Sequence, residues 1–170
     1  GATGGTRYSP VQVVLQGAAN VINVSAGGSY YGNYNGHSLA LRSDKTVWAW
    51  GYNGYGQLGN GGTTATATPV QVMQDATTPL TNVIAIAAGS DHSLALKEDG
   101  TVWAWGYGGQ GQIGDGGTGN KSFATQVKLS ASVPLGGAKS IAAGGMFYSS
   151  GTPYGSSMAL LEDGTVWSWG

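Results

Sequence analysis

The 170-residue chain has no cysteine, which excludes a disulfide framework and a thiolate metal site. Charged residues make up 9% and the net charge is −1, where an ordinary soluble domain is about a quarter charged. No basic run stands out, so the electrostatic footprint that nucleic acid demands is missing. No run of about 18 apolar residues occurs, so there is no candidate membrane span. No apolar pattern of period 3.6 reaches useful length, and no helix is expected. Neither a secretory leader nor an initial methionine is present, and Gly1 is expected to be a processed or excised end.

What the chain does have is glycine, 32 residues without a collagen period. Glycine in such numbers implies many tight turns. Hydrophobic residues reach 41%, enough for one domain with a real core. A surface of Ser, Thr, Asn, Gly and Tyr in place of Lys and Glu suits an extracellular bacterial protein.

The sequence repeats three times. "HSLALRSDKTVWAWG" (37–51), "HSLALKEDGTVWAWG" (92–106) and "SSMALLEDGTVWSWG" (156–170) align without a gap. Upstream of them lie the apolar segments "VINVSAG" (21–27), "VIAIAAG" (83–89) and "AKSIAAG" (138–144). Further upstream come "SPVQVV" (9–14), "TPVQVM" (68–73) and "ATQVKL" (124–129). A Gly-Gly-Thr precedes each, at 4–6, 61–63 and 116–118. Such self-similarity marks a repeat architecture, with units of approximately 1–51, 52–106 and 107–170.

Each unit reads as β. "HSLAL" alternates, Asp99-Gly100 or Asp163-Gly164 supplies a tight hairpin turn, and "TVWAW" alternates again. Asp44-Lys45 is a poorer match to that turn. Residues two apart share a strand face, so Trp48 and Trp50 point one way and Val47 and Ala49 the other. Both faces are apolar, so both are expected to be covered, as in a sheet held between neighbouring sheets of a propeller.

"HSLALKEDGTVWAWG", followed by "YGGQGQIGDGG" and "ATQV", resembles the repeat of the regulator of chromosome condensation (RCC) family, in wording nearest its bacterial, secreted kind. The resemblance spans essentially the whole chain and implies β-propeller blades, usually seven to a ring. The implied fold is all-β, with three four-stranded antiparallel repeats forming an incomplete ring that is completed between chains or by missing repeats. Departures are Ser156 where His37 and His92 stand, and Thr125 in place of the Val of the two "PVQV" copies. The guanine-nucleotide exchange of eukaryotic relatives is not carried over, because the repeat wording marks only the scaffold.

With strands named a to d from the inside out, the chain reads d-abcd-abcd-abc. Three blades are too few to close, since propellers need four or more. The outer strand around Pro10, Val11, Gln12 and Val13 and the edge at Thr165, Val166, Trp167 and Trp169 are therefore complementary and unpaired. Exposed edges recruit other chains, and a head-to-tail contact yields a ring or a filament. The expected function is a non-catalytic extracellular structural or interaction module that self-assembles. The alternative is a fragment of a seven-bladed recognition propeller that binds a protein or a glycan.

Two insertions separate strands a and b, "GSYYGNYNG" (28–36) and "GMFYSSGTPYG" (145–155), where the middle unit has only Ser90-Asp91. Tyr offers a large contact area at low entropy cost beside adaptable Gly and Asn. Tyr30, Tyr31, Tyr34, Phe147, Tyr148 and Tyr154 are thus candidate contacts, or else they cover the blade ends. All six Trp sit in W-x-W at equivalent places and are read as packing between blades. His37 and His92 are read as structural hydrogen-bonding residues. Gly54–Gly59 and Gly109–Gly114 fit G-x-G-x-x-G but open no helix, so the nucleotide signature is rejected. The sequence Asp91-His92-Ser93 sends alternate side chains to opposite faces and makes no triad. Asn23 and Asn120 sit in glycosylation-type triplets, a weak signal in a bacterial setting. No catalytic residue, cofactor or metal is expected.

Overall fold

The structure, a computed structural model, describes residues 9, 12–15, 17–28, 30–31, 33–34, 36–147 and 153–170. Its strands are β1 (Val21–Gly27), β2 (Tyr30–Tyr31), β3 (Asn33–Tyr34), β4 (His37–Arg42), β5 (Val47–Gly51), β6 (Thr66–Gln71), β7 (Val83–Ala88) and β8 (His92–Lys97). They continue as β9 (Val102–Gly106), β10 (Lys121–Gln126), β11 (Lys128–Ser130), β12 (Val133–Pro134), β13 (Ala138–Phe147), β14 (Pro153–Leu161) and β15 (Val166–Trp169). No helix occurs among the described residues.

The three repeats form three antiparallel sheets, ordered β1-β4-β5-β6, β7-β8-β9-β10 and β13-β14-β15. The first two are four-stranded blades. The third has strands a, b and c, and nothing described pairs with the outer side of β15. Strands β2 and β3, and β11 and β12, form two small ribbons.

Alternation within each strand builds two cores, one at each joint between blades. At the first joint Leu39, Leu41, Val47 and Ala49 of blade 1 meet Val83, Ile86, Ala95 and Trp105 of blade 2. At the second, Leu94, Leu96, Val102 and Ala104 of blade 2 meet Ala138 and Ala159 of blade 3. Blade 2 is therefore apolar on both faces because both are covered, as its sequence pattern anticipates. Glycine closes the inner strands for a steric reason. A Cβ on Gly27 would lie 1.9 Å from the carbonyl oxygen of Gly89, so neighbouring inner strands approach only where the side chain is absent.

The b–c turn differs from the expected two-residue hairpin. In all three copies only the second residue of the pair has positive φ: Lys45 at 60°, Gly100 at 76° and Gly164 at 86°. The amide of that residue donates back to the carbonyl of Arg42, Lys97 or Leu161, and the amides of Arg42, Lys97 and Leu161 donate in turn to the carbonyls of Thr46, Thr101 and Thr165. This is a type I turn followed by a left-handed residue, the three-residue hairpin loop. The aspartate stays in ordinary backbone space and accepts from the Thr two residues on, through amide and hydroxyl, at 2.9 and 2.7 Å for Asp163. Those bonds hold the carboxyls of Asp44 and Asp99 below the usual carboxylate range, with the Thr hydroxyl bond the largest cause in each. Gly164→Ala should cost about 1 kcal/mol, read as a shift of the urea midpoint. Space is open around Gly164, so the cost is backbone strain alone.

The outer strands also begin earlier than the "PVQV" wording suggests, at Thr66 and Lys121. They end at Gln71 and Gln126 because Met73 and Lys128 turn away to donate to Gly59 and Gly114 of the preceding loop. The first copy of this segment shows no strand over Gln12–Leu15. A strand exists by its ladder, and no described partner lies beside it.

Candidate assembly edges and contact loops

The joints between blades share one polar device. His37 Nε2 lies 2.9 Å from Ser93 Oγ, and Ser93 donates its hydroxyl to the Gln57 carbonyl at 3.1 Å. Trp105 Nε1 donates to that same carbonyl at 2.8 Å. One joint on, His92 Nε2 lies 3.0 Å from Ser157 Oγ. Ser157 and Trp169 both donate to the Gln112 carbonyl, each at 2.9 Å. A serine has one hydroxyl proton, and here the carbonyl takes it, so each His must donate from Nε2 and carry its lone pair on Nδ1. His37 Nδ1 is buried with no hydrogen-bond partner. Burial lowers both imidazoles to about 4, with the neighbouring His92 adding to the effect at His37. These histidines are neutral struts, as their repeated place suggests.

Trp105 and Trp169 donate into the joints between blades, and Trp103 packs against the first of them. Trp48 and Trp50 have no described blade beside them and Trp167 is 46% exposed, so the reading of all six as packing between blades is corrected at these three. Trp48 and Trp103 donate to Thr46 and Thr101, with the Arg42 guanidinium and the Lys97 ammonium 5.5 and 5.3 Å from the ring centres. Sequence reasoning missed Gln57 and Gln112, although their 55-residue offset within "GYGQLG" and "GQGQIG" was the available signal. It also missed the tyrosine cluster described below.

Comparison of equivalent positions locates the two open faces. Val166 is 66% exposed where Val47 and Val102 are fully buried. Met158 is 44% exposed where Leu39 and Leu94 are fully buried. On blade 1, Val24 is 66% exposed where Ile86 is 8%. Thr165 is exposed, Trp167 is 46% exposed and Trp169 is half-buried on β15. A cleft runs along this edge, lined by Val127, Leu129, Leu135, Trp167 and Trp169. Gln12 is exposed and Val13 half-buried, while Pro10 and Val11 lie outside the described residues.

The insertions between strands a and b prove to be partly ladder. β13 and β14 pair through Gly145 with Gly155, Met146 with Tyr154 and Phe147 with Pro153, so the third insertion extends a hairpin. In the first, Tyr30 pairs with Tyr34 and Tyr31 with Asn33 through the backbone. The side chains of Tyr30, Tyr31, Tyr34 and Phe147, and all of Tyr148, lie outside the described residues. Tyr154 is exposed, and its carbonyl accepts from Ser90 Oγ at 3.3 Å. In an antiparallel meander alternate connections fall at one end, which puts the loops after strand c beside these insertions. There Tyr55 packs edge-on against Tyr107 at 5.0 Å and against Tyr52 at 6.2 Å. Beneath them Asp91 is buried and accepts from Gln57 Nε2 at 3.1 Å. Desolvation raises the Tyr55 phenol, helped by Tyr52 and by Asp91.

Asp91, His92 and Ser93 turn to Gln57, Ser157 and the Gln57 carbonyl in that order. No three His, Asp or Glu side chains among the described residues gather as metal ligands. The two G-x-G-x-x-G stretches lie in turns and lead to no helix.

The profile of the "Regulator of chromosome condensation (RCC1) repeat" matches residues 44–96 and 99–148. The chain is 33% identical over 150 residues to the mitochondrial RCC1 domain-containing protein RUG3 of Arabidopsis thaliana, covering 88% of this chain and 29% of that protein. It is 34% identical over 140 residues to the human E3 ubiquitin-protein ligase HERC2, covering 82% of this chain and 3% of that one. In fold it is similar to human WBSCR16, with a TM-score of 0.70 at 24% identity, covering 91% of this chain and 34% of that one. The chain thus spans under a third of the length of these two sequence relatives. Its three-fold repeat, its blades and these matches make it a member of the RCC1 repeat family, a partial β-propeller of three blades.

Proposed function

We propose that the chain is a non-catalytic interaction module that assembles head-to-tail, each copy offering its first blade to the third blade of another. The observation that carries this reading is the exposure of Val166, Met158 and Val24 at places that are buried in the complete joints. Apolar faces of this kind are covered in working proteins, and the covering element at both internal joints is another blade of the same repeat. The contact is heterologous, so it gives a ring if the rotation closes and a filament if it does not. The scarcity of charge and the Ser-, Thr-, Asn- and Tyr-rich composition support an extracellular setting, such as a bacterial surface or secreted protein. Light scattering should report a mass above the 17.1 kDa of one chain. Met158→Glu, on an exposed position of the third blade, should return the mass to that of one chain without changing the circular dichroism. A wild-type protein that stays monomeric at every concentration, with native dichroism, overturns the proposal.

A second reading is favoured by the share of its relatives that the chain covers. Here the three blades belong to a longer ring, and the tyrosine-bearing end contacts a protein or a glycan. On this reading, shortening residues 28–36 to Ser-Asp, as at Ser90-Asp91, abolishes ligand contact and leaves the thermal midpoint in place. A large drop in the midpoint would assign the insertion to covering the blade end.

A further inference from the structure

We infer that the open edge of β15 is a slot for one particular strand, residues 9–14 of a second copy, seated with Gln12 opposite Trp167. The inference deepens the head-to-tail reading and rests on it.

The two complete blades show what the slot holds. In blade 1, Gln71 stands opposite Trp48 and Val70 opposite Ala49. In blade 2, Gln126 stands opposite Trp103 and Thr125 opposite Ala104. Next in each strand comes a buried valine, Val72 or Val127, whose amide donates to the carbonyl of Val47 or Val102 at 2.9 and 2.8 Å. The equivalent residues in blade 3 are Val166, Trp167 and Ser168, and nothing described pairs with them on that side. The chain holds one further copy of the Val-Gln-Val motif, at residues 11–13. Placed in the same register, Gln12 faces Trp167 over the cleft between Val127, Leu135 and Trp169, and Val11 faces Ser168. Val13 donates to the Val166 carbonyl and joins Val166 on the open face, as Val72 and Val127 join Val47 and Val102 in the two internal joints.

One movement satisfies everything at once. The outer strand of one blade is followed along the chain by the inner strand of the next, β6 by β7 and β10, through the β11–β12 ribbon, by β13. A copy that lends residues 9–14 to the slot therefore brings its own β1 against the open face of β14. Its Val24 then meets Met158 and Leu160, as Ile86 belongs to the same core cluster as Leu39 and Leu41. Two details set this joint apart from the internal ones. Ser156 replaces the histidine strut. Pro10 occupies the place of Ala124, whose amide donates to the Met73 carbonyl at 2.8 Å, and a proline has no amide proton to give. The joint between copies is thus built like an internal joint with two polar contacts removed, which suits reversible association.

Cysteine pairing tests the register directly, because the chain contains no other cysteine. Full-length Gln12→Cys and Trp167→Cys proteins are mixed under mild oxidation, and the mixed disulfide is measured by mass. The off-register control pairs Val13→Cys with Trp167→Cys. About tenfold more heterodimer is expected from the matched pair, since a disulfide needs Cα atoms within about 7 Å and facing Cβ vectors. Val11→Cys with Ser168→Cys provides a second matched pair that leaves Trp167 in place. Pro10→Ala should tighten association several-fold in dilution experiments. Equal yields from matched and control pairs overturn the inference. So does a lack of cross-linking while light scattering still reports oligomers, in which case the head-to-tail reading survives through the blade faces alone. Monomers throughout remove both.

Discussion

Trp105→Ala is expected to lower the unfolding free energy by about 4 kcal/mol, the range for deleting a buried Trp. The side chain is fully buried in the joint between blades 1 and 2 and donates to the Gln57 carbonyl at 2.8 Å. Its removal opens a cavity against Val72 and Leu58, members of the same cluster. Trp105→Phe separates the two contributions. It keeps most of the volume and leaves Gln57 with its bond from Ser93, so about 1 kcal/mol should be lost with the hydrogen bond, plus a smaller packing term. Trp50→Ala is the comparison at the equivalent place in blade 1. No blade precedes that strand among the described residues, and the side chain is only half-buried, so the loss should be less than half that of Trp105→Ala. Urea midpoints with unchanged slopes read all three. Equal losses at Trp50 and Trp105 would mean that the joint between blades is not what gives the tryptophan its importance.

Acidification should produce the second large effect. His37 and His92 are lowered from 6.5 to about 4 in the folded protein, so between those values the unfolded chain binds more protons. Stability is therefore full above about pH 6.5 and falls as the pH drops towards 4. Each histidine contributes about 3 kcal/mol across that window at 1.36 kcal/mol per pKa unit. The physical cause is burial, which strips the charged imidazolium of water, with the neighbouring His92 adding to it at His37, and the His37 Nδ1 is buried without a partner. A proton added there would be a buried charge without an acceptor. The turn aspartates, whose carboxyls are held low by their Thr bonds, extend the loss further into acid. The third repeat already carries serine, Ser156, at the histidine position. His37→Ser with His92→Ser should therefore be tolerated by the fold, and should flatten the slope of stability against pH between 6.5 and 4 whatever it does to the absolute value. A slope that persists in the double variant would assign the acid sensitivity to other groups.

The residues most legible in the sequence were those whose role is local. Alternation in "HSLAL" and "TVWAW" named the strands, Asp-Gly marked the turns, and a pattern repeated at 55 residues announced blades. The turn type was less legible, because Asp44-Lys45 and Asp99-Gly100 share one geometry in which only the second residue is left-handed. The His reading, and the Trp reading at Trp103, Trp105 and Trp169, held because repetition at a fixed place favours packing over chemistry. The polar chain linking His37, Ser93, Gln57 and Trp105 was not legible. Its members lie 56, 36 and 48 residues apart, and backbone carbonyls carry no sequence signature.

By itself, then, the order of residues determined the strands, their faces and their grouping into three like units, because these depend on near neighbours along the chain. Only the tertiary structure decided which apolar faces are spent and which remain open. Val47, Val102 and Val166 sit in nearly identical local sequence, yet the first two are sealed and the third is bare. The difference lies in whether another blade stands beside the strand, and that is a property of the assembled sheets rather than of any local stretch of chain.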